Sequence, residues 1–97
     1  MGIIYEAKRM VDLPRVEVRI VEIPPCTLGY AYVGKNIIHI SNSVVEQAGM
    51  DLKITVLHEI LHAVKSVRHD RSCPLMAPTI QRGHDEAVYW DAFKRHF

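Results

Sequence analysis

The 97-residue chain has few cysteines and no long run of apolar residues. Its two cysteines, Cys26 and Cys73, are too few for the disulfide framework of many small secreted domains. We expect both to be buried free thiols, with pairing of the two as the alternative. No stretch approaches the roughly 20 apolar residues of a membrane span, and residues 1–14 lack the apolar core of a secretion signal. These absences predict a cytoplasmic location by default and leave release by another route open.

An excess of either charge is also missing. Lysine and arginine number 12 against 11 acidic residues, which gives a net charge of +1. This balance gives no electrostatic case for a nucleic-acid partner or an anionic membrane. Apolar residues make up 48% of the chain, enough for one compact core. We therefore expect a single domain over residues 1–97 that binds neither nucleic acid nor membrane.

Hydrophobic periodicity predicts an α+β fold, with a short mixed or antiparallel sheet of about three strands packed on helices. The long central helix has a clear apolar stripe at helical spacing. The predicted elements are a helix over 3–11, strands over 15–23, 28–33 and 37–41, a short helix capped by Ser43 and stopped at Gly49, a helix over 52–67 capped by Asp51, and a helix over 84–95.

The sequence HEILHAVKSVRHD places metal-binding residue types at helical spacing. His58 and His62 are four positions apart on the long helix, so their imidazoles project side by side. Two such nitrogens can coordinate one tetrahedral Zn²⁺, and Glu59 lies beside them in the position of a catalytic base. A cluster of purely structural histidines is the competing interpretation, which the amphipathic placement of the pair disfavours.

A third protein ligand is needed for a catalytic zinc site that keeps one position open. His69 is the first candidate, and it requires the chain to turn back after Val67 or Arg68. The alternatives, close to the start of the last helix, are His84, Asp85 and Glu86.

This region resembles the metzincin zinc peptidases, in which H-E-x-x-H, a third histidine and a methionine-containing turn follow one another. HEILHAVKSVRHDRSCPLMAP has that order and is most similar to the matrixin branch. LGYAYV and IIHIS resemble the family's substrate-binding edge strand and the strand after it, and GHDEAVYWDAFKRHF resembles its C-terminal helix. The resemblance covers residues 27–97 and implies a minimal zincin-like domain with a Met-turn.

The resemblance also implies a function, that of a zinc-dependent endopeptidase acting on peptide or protein substrates. It implies that His58, His62 and His69 hold the zinc and that Met76 forms an apolar floor beneath it. Glu59 would act as the general base for a metal-activated water that attacks the peptide bond.

The edge strand is expected to bind the substrate. An extended peptide would lie antiparallel to it and bond to the backbone around Gly29, Tyr30 and Ala31.

One stretch departs from the metzincin pattern H-E-x-x-H-x-x-G-x-x-H. Lys65 stands where the family has its glycine, and six residues instead of five separate His62 from His69. Lysine at positive φ would be strained, so we expect the chain to reach His69 by a wider turn.

Two other functions fit the same residues. One is a gluzincin-like minimal peptidase with Glu86 as the third ligand. The other is a non-catalytic binding or regulatory module stabilised by zinc, because a small domain gains much from a bound metal. A zinc-dependent RNA-cleaving enzyme is disfavoured by Glu59 and by the balanced charge.

Overall fold

The computed structural model describes residues 2–23 and 27–97. It has the predicted α+β class, with a three-stranded mixed sheet packed on helices. None of the helices in these ranges is long and apolar enough to cross a membrane. The elements are α1 (Gly2–Met10), β1 (Glu17–Val21), β2 (Gly29–Tyr32), β3 (Ile37–Ser41), α2 (Asn42–Gln47), α3 (Gly49–Lys65) and α4 (Glu86–Lys94).

The central strand of the sheet is β3, with β1 parallel on one side and β2 antiparallel on the other. Its sequence IIHIS is nearly all buried, as expected for a strand with a neighbour on each side. β2 is therefore an edge strand, and one of its sides pairs with no other strand among the described residues.

Helix α3 supplies more of the buried apolar residues than any other element of the described structure. Its predicted apolar stripe is observed, with Ile54, Leu57, Ile60 and Leu61 all buried. It packs against β2, β3 and α4, so it is fixed on several sides. Side chains that α3 carries at the edge of this stripe are consequently held in defined positions.

Two of the predicted helix caps are wrong. The N-cap of α2 is Ser41 and not Ser43, because the helix follows β3 directly and the Ser41 hydroxyl accepts the backbone N–H of Ser43. Helix α3 begins at Gly49, three residues before its predicted start. Asp51 therefore lies inside the first turn and pairs with Arg82 instead of capping the helix.

Strand β1 is shorter than the predicted strand over 15–23, and the side chain of Ile20 is 53% exposed. The reason is that α3 packs on β2 and β3 and leaves the far edge of the sheet less covered. Of the two cysteines, Cys73 is a half-buried free thiol, and Cys26 lies outside the described residues.

Candidate metal centre

The histidine pair lies at the edge of the buried stripe of α3. His58 and His62 are half-buried, and their ring centroids are 4.6 Å apart. The two Nε2 atoms approach to 3.0 Å. One helical turn thus points both imidazoles at a common position, as the spacing predicts.

The turn that follows α3 differs from the expected one. Lys65 remains helical, and Ser66 takes the left-handed conformation with φ 54° and ψ 32°. The backbone N–H groups of Ser66 and Val67 both bond to the carbonyl of Leu61, which closes the helix as a C-terminal αL turn does. The prediction that the chain turns back after Val67 or Arg68 is therefore wrong, because the chain reverses earlier, at Ser66.

The extra residue between the second and third histidines lengthens the helix and does not widen the turn. Lys65 is spared the positive φ that would strain it, because Ser66 adopts that conformation in its place. Ser66 precedes His69 by three positions, the same separation that the glycine and histidine have in G-x-x-H.

This turn brings the exposed ring of His69 back to the pair on the helix. Its Nε2 lies 3.3 Å from that of His58, and its ring centroid is 4.9 Å from that of His62. The three residues each offer one nitrogen, and these nitrogens all lie within 4.8 Å of one another. The group formed by His58, His62 and His69 could therefore hold a metal ion.

Two backbone carbonyls orient the helix histidines. Nδ1 of His58 donates to the carbonyl of Leu75 at 2.7 Å, and Nδ1 of His62 donates to that of Val67 at 2.6 Å. A carbonyl oxygen can only accept, so each Nδ1 carries the proton of a neutral imidazole and each Nε2 presents a lone pair. Metal-binding histidines typically have such a hydrogen bond from the ring nitrogen that does not bind the metal, and this bond fixes the tautomer.

The two lone pairs would repel each other at 3.0 Å unless a cation lies between them. Burial lowers the pKa of His58 to about 4 and also lowers that of His62, so both rings are neutral at pH 7. Nitrogens bound to a tetrahedral Zn²⁺ at about 2.0–2.1 Å lie about 3.3 Å apart. The separations of 3.0 Å for His58 and His62 and of 3.3 Å for His58 and His69 are close to that value.

Glu59 is a buried carboxyl group next to the histidines. It is 7% exposed, and burial raises its pKa to about 7. With His58 and His69 it lines one wall of a cleft of about 390 Å³. A carboxyl group that titrates near neutral pH can both accept and return a proton there.

The cleft lies between α3, the start of β2 and the irregular segment 75–82. Of the predicted substrate-binding residues, Gly29 lines it, whereas Tyr30 and Ala31 do not. Thr55 and Arg82 also line it, although neither has a motif that singles it out in the sequence.

The side chain of Tyr30 belongs to the sheet face that points away from α3. Its hydroxyl lies 2.7 Å from Nδ1 of His39, and its ring makes an edge contact with Tyr32. Packing within the sheet therefore accounts for the position of the Tyr30 side chain. Only the backbone of Tyr30 is left for the predicted binding of substrate.

The free edge of β2 is formed by alternate residues. Ser41 donates its N–H to the carbonyl of Leu28, so these two form a hydrogen-bonded pair of the antiparallel ladder. Because such pairs alternate, the backbone groups of Gly29 and Ala31 face away from β3. An added peptide would pair with these two residues, while the backbone of Tyr30 is directed at β3.

Met76 is fully buried in the core. Its carbonyl accepts the N–H of Asp70 at 2.9 Å, which joins the residue after His69 to the segment 75–82 of the cleft wall. This bond, with that from His58 to Leu75, holds the segment against the metal-binding group. The role of the Met76 side chain as an apolar floor stays a prediction.

The alternative third ligands lie outside the histidine group. The carboxylate of Glu86 accepts hydrogen bonds from Lys53 Nζ at 3.0 Å and from Trp90 Nε1 at 3.1 Å. His84 and Asp85 are exposed before α4. In the described residues, the metal-binding group consists of the three histidines and includes none of these side chains.

No protein-family model, curated protein or solved structure matches this chain. The resemblance to metzincins therefore stays a prediction.

Proposed function

We propose that the protein is a zinc-dependent endopeptidase in which His58, His62 and His69 hold Zn²⁺ and Glu59 is the general base. The main support is the convergence of the three imidazoles, with the Nε2 atoms of His58 and His62 3.0 Å apart and that of His69 3.3 Å from that of His58. That convergence is favourable around a cation, and imidazole nitrogens in this number and geometry suit zinc.

Neutral imidazoles would hold Zn²⁺ without cancelling its double positive charge, so the bound metal would polarise a carbonyl oxygen and lower the pKa of water. The chain's own contribution is to orient the ligands. The carbonyls of Leu75 and Val67 hold the His58 and His62 rings and make their Nε2 atoms more basic. His69 completes the set from the exposed side, next to the cleft.

Glu59 acts first as the general base and then as the general acid in this proposal. It takes a proton from the attacking water and passes it to the nitrogen of the leaving amine. Its position in the cleft beside His58 suits both transfers. No serine or cysteine nucleophile is required.

The substrate is proposed to bind as an extra strand on β2. The outward-facing backbone groups of Gly29 and Ala31 would pair with an extended peptide, and Gly29 borders the cleft that contains Glu59. Main-chain pairing of this kind recognises peptides by their backbone. The cleft then receives side chains next to the cleaved bond.

The test compares the wild type with Glu59→Gln, using metal analysis and a library of fluorescence-quenched peptides. We expect one zinc per chain in both proteins and a loss of hydrolysis in Glu59→Gln of about 10²- to 10⁴-fold. Glu46→Gln, the same substitution on the exposed side of α2, should change neither.

Hydrolysis that persists in Glu59→Gln would rule out the assigned base. Stoichiometric zinc in the wild type without cleavage of any peptide would instead favour a zinc-stabilised binding module.

A further inference from the structure

Arg82 lies at the end of the cleft remote from the histidines. It pairs with Asp51 in the first turn of α3, through Nε to Oδ1 at 3.1 Å and Nη2 to Oδ2 at 2.7 Å. Asp51 and His58 are seven positions apart on this helix, which places them about 10 Å apart along its axis. The cleft therefore has the metal-binding group at one end and a guanidinium at the other.

The pairing with Asp51 orients Arg82 without using all of its donors. The two bonds engage the Nε side of the guanidinium, so the N–H groups of Nη1 and the outer N–H of Nη2 point away from Asp51. The Arg82 side chain is 69% exposed. A planar guanidinium held in this way can accept a second carboxylate end-on.

Arg82 is the one arginine or lysine among the described residues that line the cleft. The wall between it and the histidines includes the apolar side chains of Ile54, Leu75 and Ile80. An acidic group on a bound peptide would therefore find its cationic partner at Arg82.

The direction of β2 shows which part of a peptide would approach Arg82. A Cβ on Gly29 would lie 3.3 Å from the Thr55 methyl group, and Gly34 donates its N–H to the carbonyl of Ala63. β2 thus runs in the same direction as α3. A peptide antiparallel to β2 runs toward the N-terminal end of α3, so its residues after the cleaved bond approach Arg82.

We propose that Arg82 binds a carboxylate that the substrate carries about three residues after the cleaved bond. The spacing follows because an extended chain rises about 3.3 Å per residue, and Asp51, which holds the guanidinium, lies about 10 Å from His58 along the helix axis. The proposal rests on the proposed peptidase function. A free C-terminus or an aspartate or glutamate side chain at that position supplies the same chemistry.

Binding is measured by calorimetry on zinc-loaded Glu59→Gln, so that no peptide is cleaved. One peptide series ends three residues after the target bond as a free acid or as an amide. A second series continues further and has glutamate or glutamine at the third residue. We expect the acidic member to bind about tenfold more tightly in at least one series, the ratio for one charge-assisted contact.

The preference should disappear in Arg82→Ala and weaken in Arg82→Lys, which keeps the charge but loses the planar fork. Arg9→Ala, on the exposed side of α1, should leave it unchanged. If only the free-acid series shows the preference, the carboxylate that Arg82 binds is the C-terminus of the peptide. If only the glutamate series shows it, that carboxylate is a side chain.

The proposal would be overturned if the free acid bound no more tightly than the amide and the glutamate peptide no more tightly than the glutamine peptide. A preference for the acidic peptide that survives Arg82→Ala would also overturn it. Hydrolysis by the wild type is scored separately. Cleavage without any carboxylate preference removes the role of Arg82 and leaves the peptidase standing. An Arg82-dependent preference without cleavage supports the carboxylate site and removes the peptidase.

Discussion

The Nε2 atom of His69 lies 3.3 Å from that of His58, although the two residues are eleven positions apart in the sequence. The left-handed residue Ser66 makes this possible, because it reverses the chain directly after α3. The metal-binding group is therefore built by one helix and the turn that ends it. The sheet supplies no ligand and instead borders the cleft.

Replacing His69 with alanine should lower zinc affinity by more than about 100-fold, because the site loses one of its three ligands. His84→Ala removes one of the alternative third ligands and should bind zinc as the wild type does, because His84 lies outside the histidine group. Glu86→Ala should also keep its zinc, since its carboxylate is bonded to Lys53 and Trp90. Titration against a zinc chelator measures all three, and zinc loss in Glu86→Ala would favour the gluzincin-like site.

Glu59 should destabilise the zinc-free protein at neutral and higher pH. Burial raises its pKa from 4.5 to about 7, so the folded state retains a proton that the unfolded state releases in this window. The contribution of Glu59 to stability therefore falls as pH rises from about 4.5 to about 7.

Glu59→Gln removes this ionisation. The zinc-free variant should be more stable than the wild type by up to about 3 kcal/mol at pH 8, and the difference should vanish near pH 4. Urea unfolding across this pH range measures it, and the histidines common to both proteins cancel in the comparison. A difference that does not depend on pH would contradict the burial of this carboxyl group.

Ser66→Gly should stabilise the protein by about 0.5–1 kcal/mol, because glycine adopts the left-handed conformation without the cost of a Cβ. Ser66→Val should be destabilising by about 1–2 kcal/mol, since a β-branched residue is strained there. Denaturant unfolding gives both values. Zinc binding by Ser66→Gly should equal that of the wild type, and a loss would show that the serine side chain has a role of its own.

Gly29→Ala should destabilise the protein by about 1–3 kcal/mol through overpacking. A Cβ at this position would lie 2.8 Å from the backbone oxygen of His39 and 3.3 Å from the Thr55 methyl group. Gly2→Ala is the control, because a Cβ there meets nothing within 4 Å. Thermal unfolding compares the two, and equal melting temperatures would show that β2 moves away at no cost.

Local patterns predicted most of the elements that position the site. The apolar run IIHIS gave the bounds of β3, and the stripe through Ile54 and Leu61 gave the buried face of α3. The histidine group followed from the spacing of HEILH and from His69. These features depend on residues near one another in the sequence, where helix and strand periodicity applies.

Features that depend on distant or backbone partners were not predictable. The carbonyl of Leu75 orients His58, but every residue has a carbonyl, so residue type gives no signal. Aspartate is a common N-cap residue, but Asp51 is bonded to Arg82, thirty-one positions away, and does not cap the helix. The left-handed turn was expected to need glycine, whereas Ser66 tolerates that conformation at a small cost.

The hydrogen bond from His58 to Leu75 has a consequence for how the protein folds. It joins residues seventeen positions apart, and the ligands and their orienting carbonyls all lie within this one segment. Closing so short a loop costs little entropy. The segment 58–75 is therefore suited to assemble through contacts that are local in the sequence.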